Sequence, residues 1–170
     1  NSGLKFNKSV PELEEIFDRF NSPRRVIDFV PDLLKSLKDL GIRTAVISNN
    51  AMSGEGLSLA LKRWLPDADF EFVLTSADFI FPKPHKELFV SAANSAHLSP
   101  SVCWYCGDSP FADIKGALDA GMHAVLLDKT AASDPAYGIF TISMGDQTGR
   151  SNHFRFGIAA HHVWDIAGWK

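Results

Sequence analysis

The chain has 170 residues, of which 45% are hydrophobic and 22% charged, and 17 basic against 20 acidic residues give a formal net charge of −3. This composition is typical of a soluble globular protein of about one domain, and it excludes collagen, coiled coil and extensive disorder. The sequence has no strong basic field for nucleic acid or an anionic membrane, no apolar run near the ~20 residues of a membrane span, and only two cysteines. We therefore expect a cytoplasmic protein without nucleic-acid or membrane partners.

Two amphipathic helices are predicted near the start of the chain. Ser9 and Glu12 have the spacing of a capping box, and apolar residues follow at helical spacing as far as Phe20. A second helix is predicted from about Pro31 to Leu40, and Gly41 is a typical residue to end it.

Strands and helices then alternate along the rest of the chain. Strands are predicted over 43–48, 69–76, 101–108 and 123–128, helices over about 56–65, 86–97 and 110–120, and shorter strands over 138–143 and 161–166. Such alternation is typical of an α/β doubly wound domain, in which helices cover both faces of a Rossmann-like parallel sheet. Ligands bind such sheets at the carboxyl ends of the strands, so the residues after each strand are the candidates for function.

Those strand ends carry side chains suited to phosphate chemistry with a metal ion. Ser48 and Asn49 end the first strand, Lys83 lies in the loop after the second, and Asp108 and Asp113 follow the third. Carboxylate oxygens are the ligands that hard divalent cations prefer, whereas an ammonium and a hydroxyl can surround phosphoryl oxygens. Each residue also has an ordinary structural interpretation, as a helix cap or a surface lysine, so the combination carries the prediction.

Three segments in order resemble the motifs of a known family. TAVISNN, FPKPHKELF and CWYCGDSPFADIKGALDAGM resemble the second, third and fourth motifs of the haloacid dehalogenase superfamily, and the similarity extends over roughly 30–128. The resemblance implies a hydrolase, most simply a Mg²⁺-dependent phosphatase that acts on a small phosphorylated metabolite through an aspartyl-phosphate. The substrate itself and the oligomeric state cannot be read from the sequence.

The resemblance also implies a role for each candidate residue. Ser48 would hydrogen-bond a phosphoryl oxygen, with assistance from Asn49, and Lys83 would neutralise charge on the nucleophile and the phosphoryl group. Asp108 would help to hold Mg²⁺. Asp113 would support the metal or position the lysine.

The family's first motif, a strand that ends in Asp-Xaa-Asp and carries the nucleophile, is not found before Ser48. Asp28 and Asp32 have the wrong spacing for it. Residues 1–29 are therefore interpreted as the remnant of a helical cap and its linker, and 30–170 as the α/β core without its first strand. We expect the nucleophile to lie upstream of Asn1 and the chain alone to be inactive.

Other interpretations remain open. Asp165 could supply the nucleophile in a permuted arrangement, although Ala167 then stands where the second carboxylate belongs. The domain could also be an inactive binding or regulatory module. Gly54 and Gly56 weakly suggest a nucleotide-binding oxidoreductase. Cys103 and Cys106 are not expected to form a disulfide, because strand positions three apart point to opposite faces, nor a zinc site, because the sequence has no second Cys-Xaa-Xaa-Cys pair to complete one.

Overall fold

The computed structural model describes residues 5–21 and 26–127, together with the backbone of 138–145 and 151–158. The helices are α1 (Val10–Asn21), α2 (Val30–Asp39), α3 (Gly54–Trp64), α4 (Lys86–Ser95) and α5 (Gly116–Asp119), the last preceded by a π-helical turn at Pro110–Lys115. The strands are β1 (Thr44–Ser48), β2 (Phe70–Thr75), β3 (Trp104–Gly107), β4 (His123–Leu126), β5 (Gly138–Gly145) and β6 (Ser151–Ile158).

The strands pair in three separate groups. β1 pairs with β2 and β3 pairs with β4, both in parallel, so the predicted parallel α/β fold is confirmed. β5 and β6 form an antiparallel hairpin in which Gly138 lies opposite Ile158. The prediction of a strand over 138–143 is confirmed, whereas β6 was not predicted. The predicted strand 161–166, with Asp165, and Ala167 lie outside the described residues.

Within the described residues, β1 and β3 have no strand between them, although both contribute to one core. Phe89 and Ala93 of α4 pack with Ala117 of α5 in this core, against partly buried Ile47 of β1 and Tyr105 of β3. The same α-helical layer therefore spans both parallel pairs and holds their carboxyl ends at a common edge. This arrangement leaves a space between β1 and β3 in the plane of the sheet.

The local signals that predicted the helices act as expected at several ends. The Ser9 amide and hydroxyl both donate to the Glu12 carboxylate, as in a capping box. Gly41 has a φ of 71°, the left-handed conformation that glycine adopts readily at the end of a helix. No helix among the described residues has the length and apolar character that a bilayer crossing requires.

The first helix docks on the core through its polar side. Glu15 and Asp18 of α1 are buried, and both carboxylates accept hydrogen bonds from Arg63 of α3. Phe17 and Phe20, by contrast, are 68% and 80% exposed. The contact between α1 and α3 therefore includes two charge pairs between buried carboxylates and Arg63.

Candidate functional site

A cavity of about 1430 Å³ opens between β1 and β3, and all five candidate residues line it. They come from the end of β1, the loop after β2 and the segment after β3, and they are Ser48, Asn49, Lys83, Asp108 and Asp113. The structure therefore brings together, at one edge of the sheet, the side chains that the sequence places after three different strands.

Two side chains at and just after the end of β1 each have a buried polar atom that lacks a partner among the described residues. Ser48 is 1% exposed, and its Oγ has no hydrogen-bond partner among the described residues. Asn50 is 6% exposed, and its Nδ2 likewise has none. A buried polar atom without a partner lowers the stability of the folded state by about 1–3 kcal/mol, and such atoms are rare in native structures. Each of these two atoms is therefore a candidate to contact a ligand.

Asn49 is engaged with the backbone of the loop that carries the lysine. Its Nδ2 donates to the Lys83 carbonyl at 3.0 Å, and its Oδ1 accepts from the Lys83 amide at 2.8 Å. These two bonds tie the end of β1 to Lys83, which precedes Pro84 across a cis peptide bond. In this structure Asn49 thus holds the loop that presents Lys83.

Lys83 belongs to a buried network of three side chains. Its Nζ donates to Asp113 Oδ1 at 2.6 Å and to Tyr105 Oη at 2.9 Å, and the side chains of Lys83 and Asp113 are only 8% and 6% exposed. Tyr105 Oη also lies 3.2 Å from Asp113 Oδ1 and 3.3 Å from the carbonyl oxygen of Ile47. Removing either charge would leave the other buried without its partner, a strongly destabilising change.

Asp113 is fixed from both of its oxygens. Oδ1 accepts from Lys83 and Tyr105, while Oδ2 accepts from the Ser109 amide at 3.0 Å. Gly107 is needed for this packing, since a Cβ there would overlap the Asp113 side chain. The requirement for glycine is therefore one of close approach, and its backbone conformation is not a left-handed one.

Ser109 begins the helical segment that carries Asp113, and its Oγ accepts from the Ala112 amide at 3.0 Å. Pro110 occupies the first helical position, where an N–H has no partner within the helix, so its missing N–H costs no hydrogen bond. The Ser109–Pro110 pair therefore starts this turn as the sequence predicts. The capped turn positions Asp113 next to Lys83.

The described residues provide one carboxylate suited to a magnesium ion but not a complete set of ligands. No group of three or more histidine, cysteine, aspartate or glutamate side chains in the described part of the chain is arranged to hold a metal. Asp108 borders the cavity and has the hard oxygen ligands that Mg²⁺ prefers, whereas both oxygens of Asp113 already accept hydrogen bonds. A metal at Asp108 would need further oxygen ligands from another segment, from substrate or from water.

Both cysteines are free, as predicted. Cys106 lines the cavity, and desolvation by the surrounding protein, together with the nearby Asp113 and Asp108 carboxylates, raises the pKa of its thiol to about 11. Such a thiol remains protonated near neutral pH and is a poor nucleophile, because the thiolate is the reactive form.

The glycine pair in α3 is already occupied by the protein's own carboxylates. Ser53 caps α3, and its amide and hydroxyl both donate to Glu14 of α1. The Gly54 amide donates to Asp78 Oδ2 at 2.6 Å, and Gly56 packs against Glu14. The amide groups that a nucleotide phosphate would need are thus bound within the protein, which disfavours the oxidoreductase interpretation.

Sequence reasoning missed Tyr105 and, although Asn50 follows β1 together with Ser48 and Asn49, gave Asn50 no role. Tyr105 lies inside a predicted buried strand, where a tyrosine is expected to pack, and Asn50 is a loop residue next to the two motif positions. The sequence signal for Asn50 is its position directly after β1. Its hydrogen bonds depend on the conformation of the turn, which the sequence pattern does not give. Tyr105 reaches Lys83 and Ile47 from far along the chain.

Comparison with known proteins finds similarity to a family described as hydrolases. A family model described as haloacid dehalogenase-like hydrolase matches residues 4–127. The human haloacid dehalogenase-like hydrolase domain-containing protein 3 is 35% identical over 129 residues, which cover 74% of this chain and 49% of that protein. The chain thus spans about half the length of the curated relatives that it matches.

Solved structures show the same fold. An HAD phosphatase from Thermococcus onnurineus superposes with a TM-score of 0.55 at 25% identity, covering 78% of this chain and 56% of that one. An uncharacterized protein from Listeria monocytogenes serotype 4b gives a TM-score of 0.58 at 23% identity, covering 66% and 67% of the two chains.

Proposed function

This chain belongs to the haloacid dehalogenase-like hydrolase family, and from that premise we propose that its site hydrolyses phosphomonoesters of small metabolites with Mg²⁺. The observation that carries the proposal is the cavity between β1 and β3, which is bordered by Ser48, Lys83 and Asp108 together. The similarity to the Thermococcus onnurineus phosphatase supports the same reaction class.

The nucleophile of this reaction is proposed to arrive on a strand that fills the space between β1 and β3. The Ser48 carbonyl accepts from the Ser76 amide, which follows β2. The Gly107 carbonyl accepts from the Leu127 amide, which follows β4, so both carbonyls point away from the space. Backbone groups alternate in direction along a strand, so those of the adjacent Ile47 and Cys106 face the space. A parallel strand placed there would pair with both neighbours and end beside Ser48 and Asp108.

The described side chains supply the rest of the machinery. Ser48 Oγ is a buried donor without a partner in the part of the chain that the structure describes, as expected of a group that meets a phosphoryl oxygen. Lys83 places a positive charge beside the site, and Asp113, Tyr105 and Asn49 hold that charge in position. Such fixed donors stabilise the charge that develops in phosphoryl transfer.

Asp108 is the side chain proposed to hold Mg²⁺. When bound, the ion supplies positive charge to the phosphoryl oxygens. An aspartate of the added strand would attack phosphorus as the ester oxygen leaves, and water would then cleave the aspartyl-phosphate to release inorganic phosphate.

The proposal is tested by supplying the proposed strand. The chain is extended at its N terminus by a segment that ends in Asp-Xaa-Asp, and p-nitrophenyl phosphate hydrolysis is measured with and without Mg²⁺. We expect Mg²⁺-dependent turnover by the extended chain, and its loss both in Asp108→Ala and in a control extension whose first aspartate is replaced by asparagine. Circular dichroism checks that each variant remains folded.

An inactive binding module is the second candidate. It is favoured by the two aspartates of the site: both oxygens of Asp113 are engaged by Lys83, Tyr105 and Ser109, and Asp108 is the side chain proposed for the metal, so neither is assigned to attack phosphorus. The same assay separates the two functions. An extended chain that is folded and binds inorganic phosphate, but does not turn over, would replace the hydrolase with the binding module.

A further inference from the structure

Asn50 has a side chain whose orientation is fixed by its own turn. Its Oδ1 accepts from the Met52 amide at 3.0 Å in a buried contact. An amide group has one acceptor end and one donor end, so this bond assigns the oxygen to the Met52 side and the Nδ2 donors to the other. The backbone of Asn50 is held as well, because its amide donates to Ser76 Oγ at 3.0 Å.

The donor end of Asn50 is left without an acceptor in the described part of the chain, in the same way as Ser48 Oγ two residues earlier. Both residues are more than nine-tenths buried, and both border the cavity. Asn49, the residue between them, already uses its side-chain amide on the Lys83 backbone. The amide donor offered at the end of β1 is therefore the one on Asn50.

We propose that Asn50 Nδ2 is a second phosphate-binding donor of this site, which acts together with Ser48 Oγ on the oxygens of one bound phosphate group. This inference rests on the proposed function and adds a ligand to it. A phosphate presents several acceptor oxygens, so one anion can accept from both donors. A hydrogen bond from each donor to phosphate would satisfy a buried polar atom that has no partner among the described residues.

The test measures inorganic phosphate binding by isothermal titration calorimetry in the presence of Mg²⁺, on both the chain and its extended form. Asn50→Ser removes the amide donor but keeps an oxygen able to accept from the Met52 amide, so the turn is retained. Asn94→Ser, at an exposed position of α4, is the matched control. We expect the Kd for phosphate to rise about tenfold in Asn50→Ser, the equivalent of ~1.4 kcal/mol, and to stay unchanged in the control.

A second readout follows the side-chain NH₂ signals of Asn50 by ¹⁵N–¹H NMR. These signals should shift on addition of phosphate. The inference is overturned if Asn50→Ser, shown to be folded by thermal unfolding, binds phosphate as tightly as the original chain. It is also overturned if the NH₂ signals shift on extension of the chain but not with phosphate, since the acceptor would then be a group of the added strand.

The inference is also overturned if neither the chain nor its extended form binds phosphate. The proposed hydrolase function is judged separately, by turnover of p-nitrophenyl phosphate. Equal phosphate binding by Asn50→Ser together with turnover by the extended chain would therefore reject Asn50 and keep the hydrolase.

Discussion

Lys83 carries the positive charge of the site, and its neighbours determine how that charge is used. Asp113 at 2.6 Å balances it, and Tyr105 Oη at 2.9 Å accepts a further hydrogen bond. A lysine on its four-carbon stem is flexible, and holding its ammonium in one place costs side-chain entropy. Hydrogen bonds from Lys83 to the buried carboxylate and the phenol offset this loss of entropy in the folded protein. The charge is therefore in place before any ligand binds.

Asn49→Ala should loosen the loop that carries Lys83. The substitution removes two hydrogen bonds to the Lys83 backbone, each worth about 0.5–1.5 kcal/mol. We expect a loss of about 1–3 kcal/mol in the free energy of unfolding, measured by urea denaturation of the chain. Asn94→Ala, on the exposed side of α4, should change it by less than about 0.5 kcal/mol. Equal stability of the two variants would show that Asn49 does not hold the loop.

The candidate residues of the site differ in how far the sequence reveals them. Ser48 and Asp108 follow buried strands directly, and the strand ends of a parallel sheet meet at one edge. The contacts of Tyr105 depend on the distance between two strands that are far apart in sequence. The partnerless donor of Asn50 depends on which way one turn orients an amide. Neither the distance between the strands nor the orientation of the amide is encoded in a local sequence pattern, so only the structure reveals them.

Among the elements, α1 has the most unusual contact. Its sequence spacing predicts a helix, and a helix is observed, but the spacing does not say which side meets the core. The acidic side is buried against Arg63, while Phe17 and Phe20 remain exposed. The geometry of this contact is therefore sensitive to the charge state of its carboxylates.

Arg63→Ala should release α1 from α3. Burial alone would raise the pKa of Glu15, but hydrogen bonds and charge from Arg19 and Arg63 outweigh it and hold the pKa below its ordinary value. A lowered carboxyl pKa stabilises docking above about pH 4.5, and this contribution is lost as the pH falls through the folded-state value. We expect the ¹⁵N–¹H resonances of α1 to become coil-like in Arg63→Ala at pH 7, and in the original chain only at acid pH.

The control for this prediction is Lys35→Ala, which removes one partner of an exposed ion pair with Asp39 on α2. Exposed pairs contribute little, so the resonances of α1 should not move. If α1 remains helical and docked in Arg63→Ala at neutral pH, the apolar contacts and the Glu14 hydrogen bonds from Ser53 hold it without the Arg63 pairs.

At the scale of the whole molecule, the sheet consists of parallel pairs separated by a space. The alternation of strands and helices predicts parallel pairing, and β1 with β2 and β3 with β4 confirm it. The pattern could not give the hairpin of β5 and β6, because its pairing depends on a contact between segments with different local signals. Periodicity describes each element alone, whereas strand order depends on how the elements share one core.

Hydrogen exchange should reveal the open edges directly. The amides of Ile47 and Cys106 face the space by alternation, whereas those of Ser48 and Gly107 face the paired strands. We expect the first two to exchange faster in the chain, and to gain protection when the N-terminal extension is present. Equal protection of all four amides before and after extension would show that no strand is received there.

The polar contacts of the site are also the ties between the two parallel pairs. Lys83, in the loop after β2, donates to Tyr105 of β3 and to Asp113 in the turn after β3, and Tyr105 Oη reaches the Ile47 carbonyl of β1. A phosphate compound held by Ser48 and Asp108 would bridge the same two pairs that a central strand joins. If both events favour one spacing of the pairs, thermodynamic linkage requires each to increase the affinity for the other by the same factor. Substrate would then act as an assembly factor for the protein, promoting completion of the sheet as strongly as the completed sheet promotes its binding.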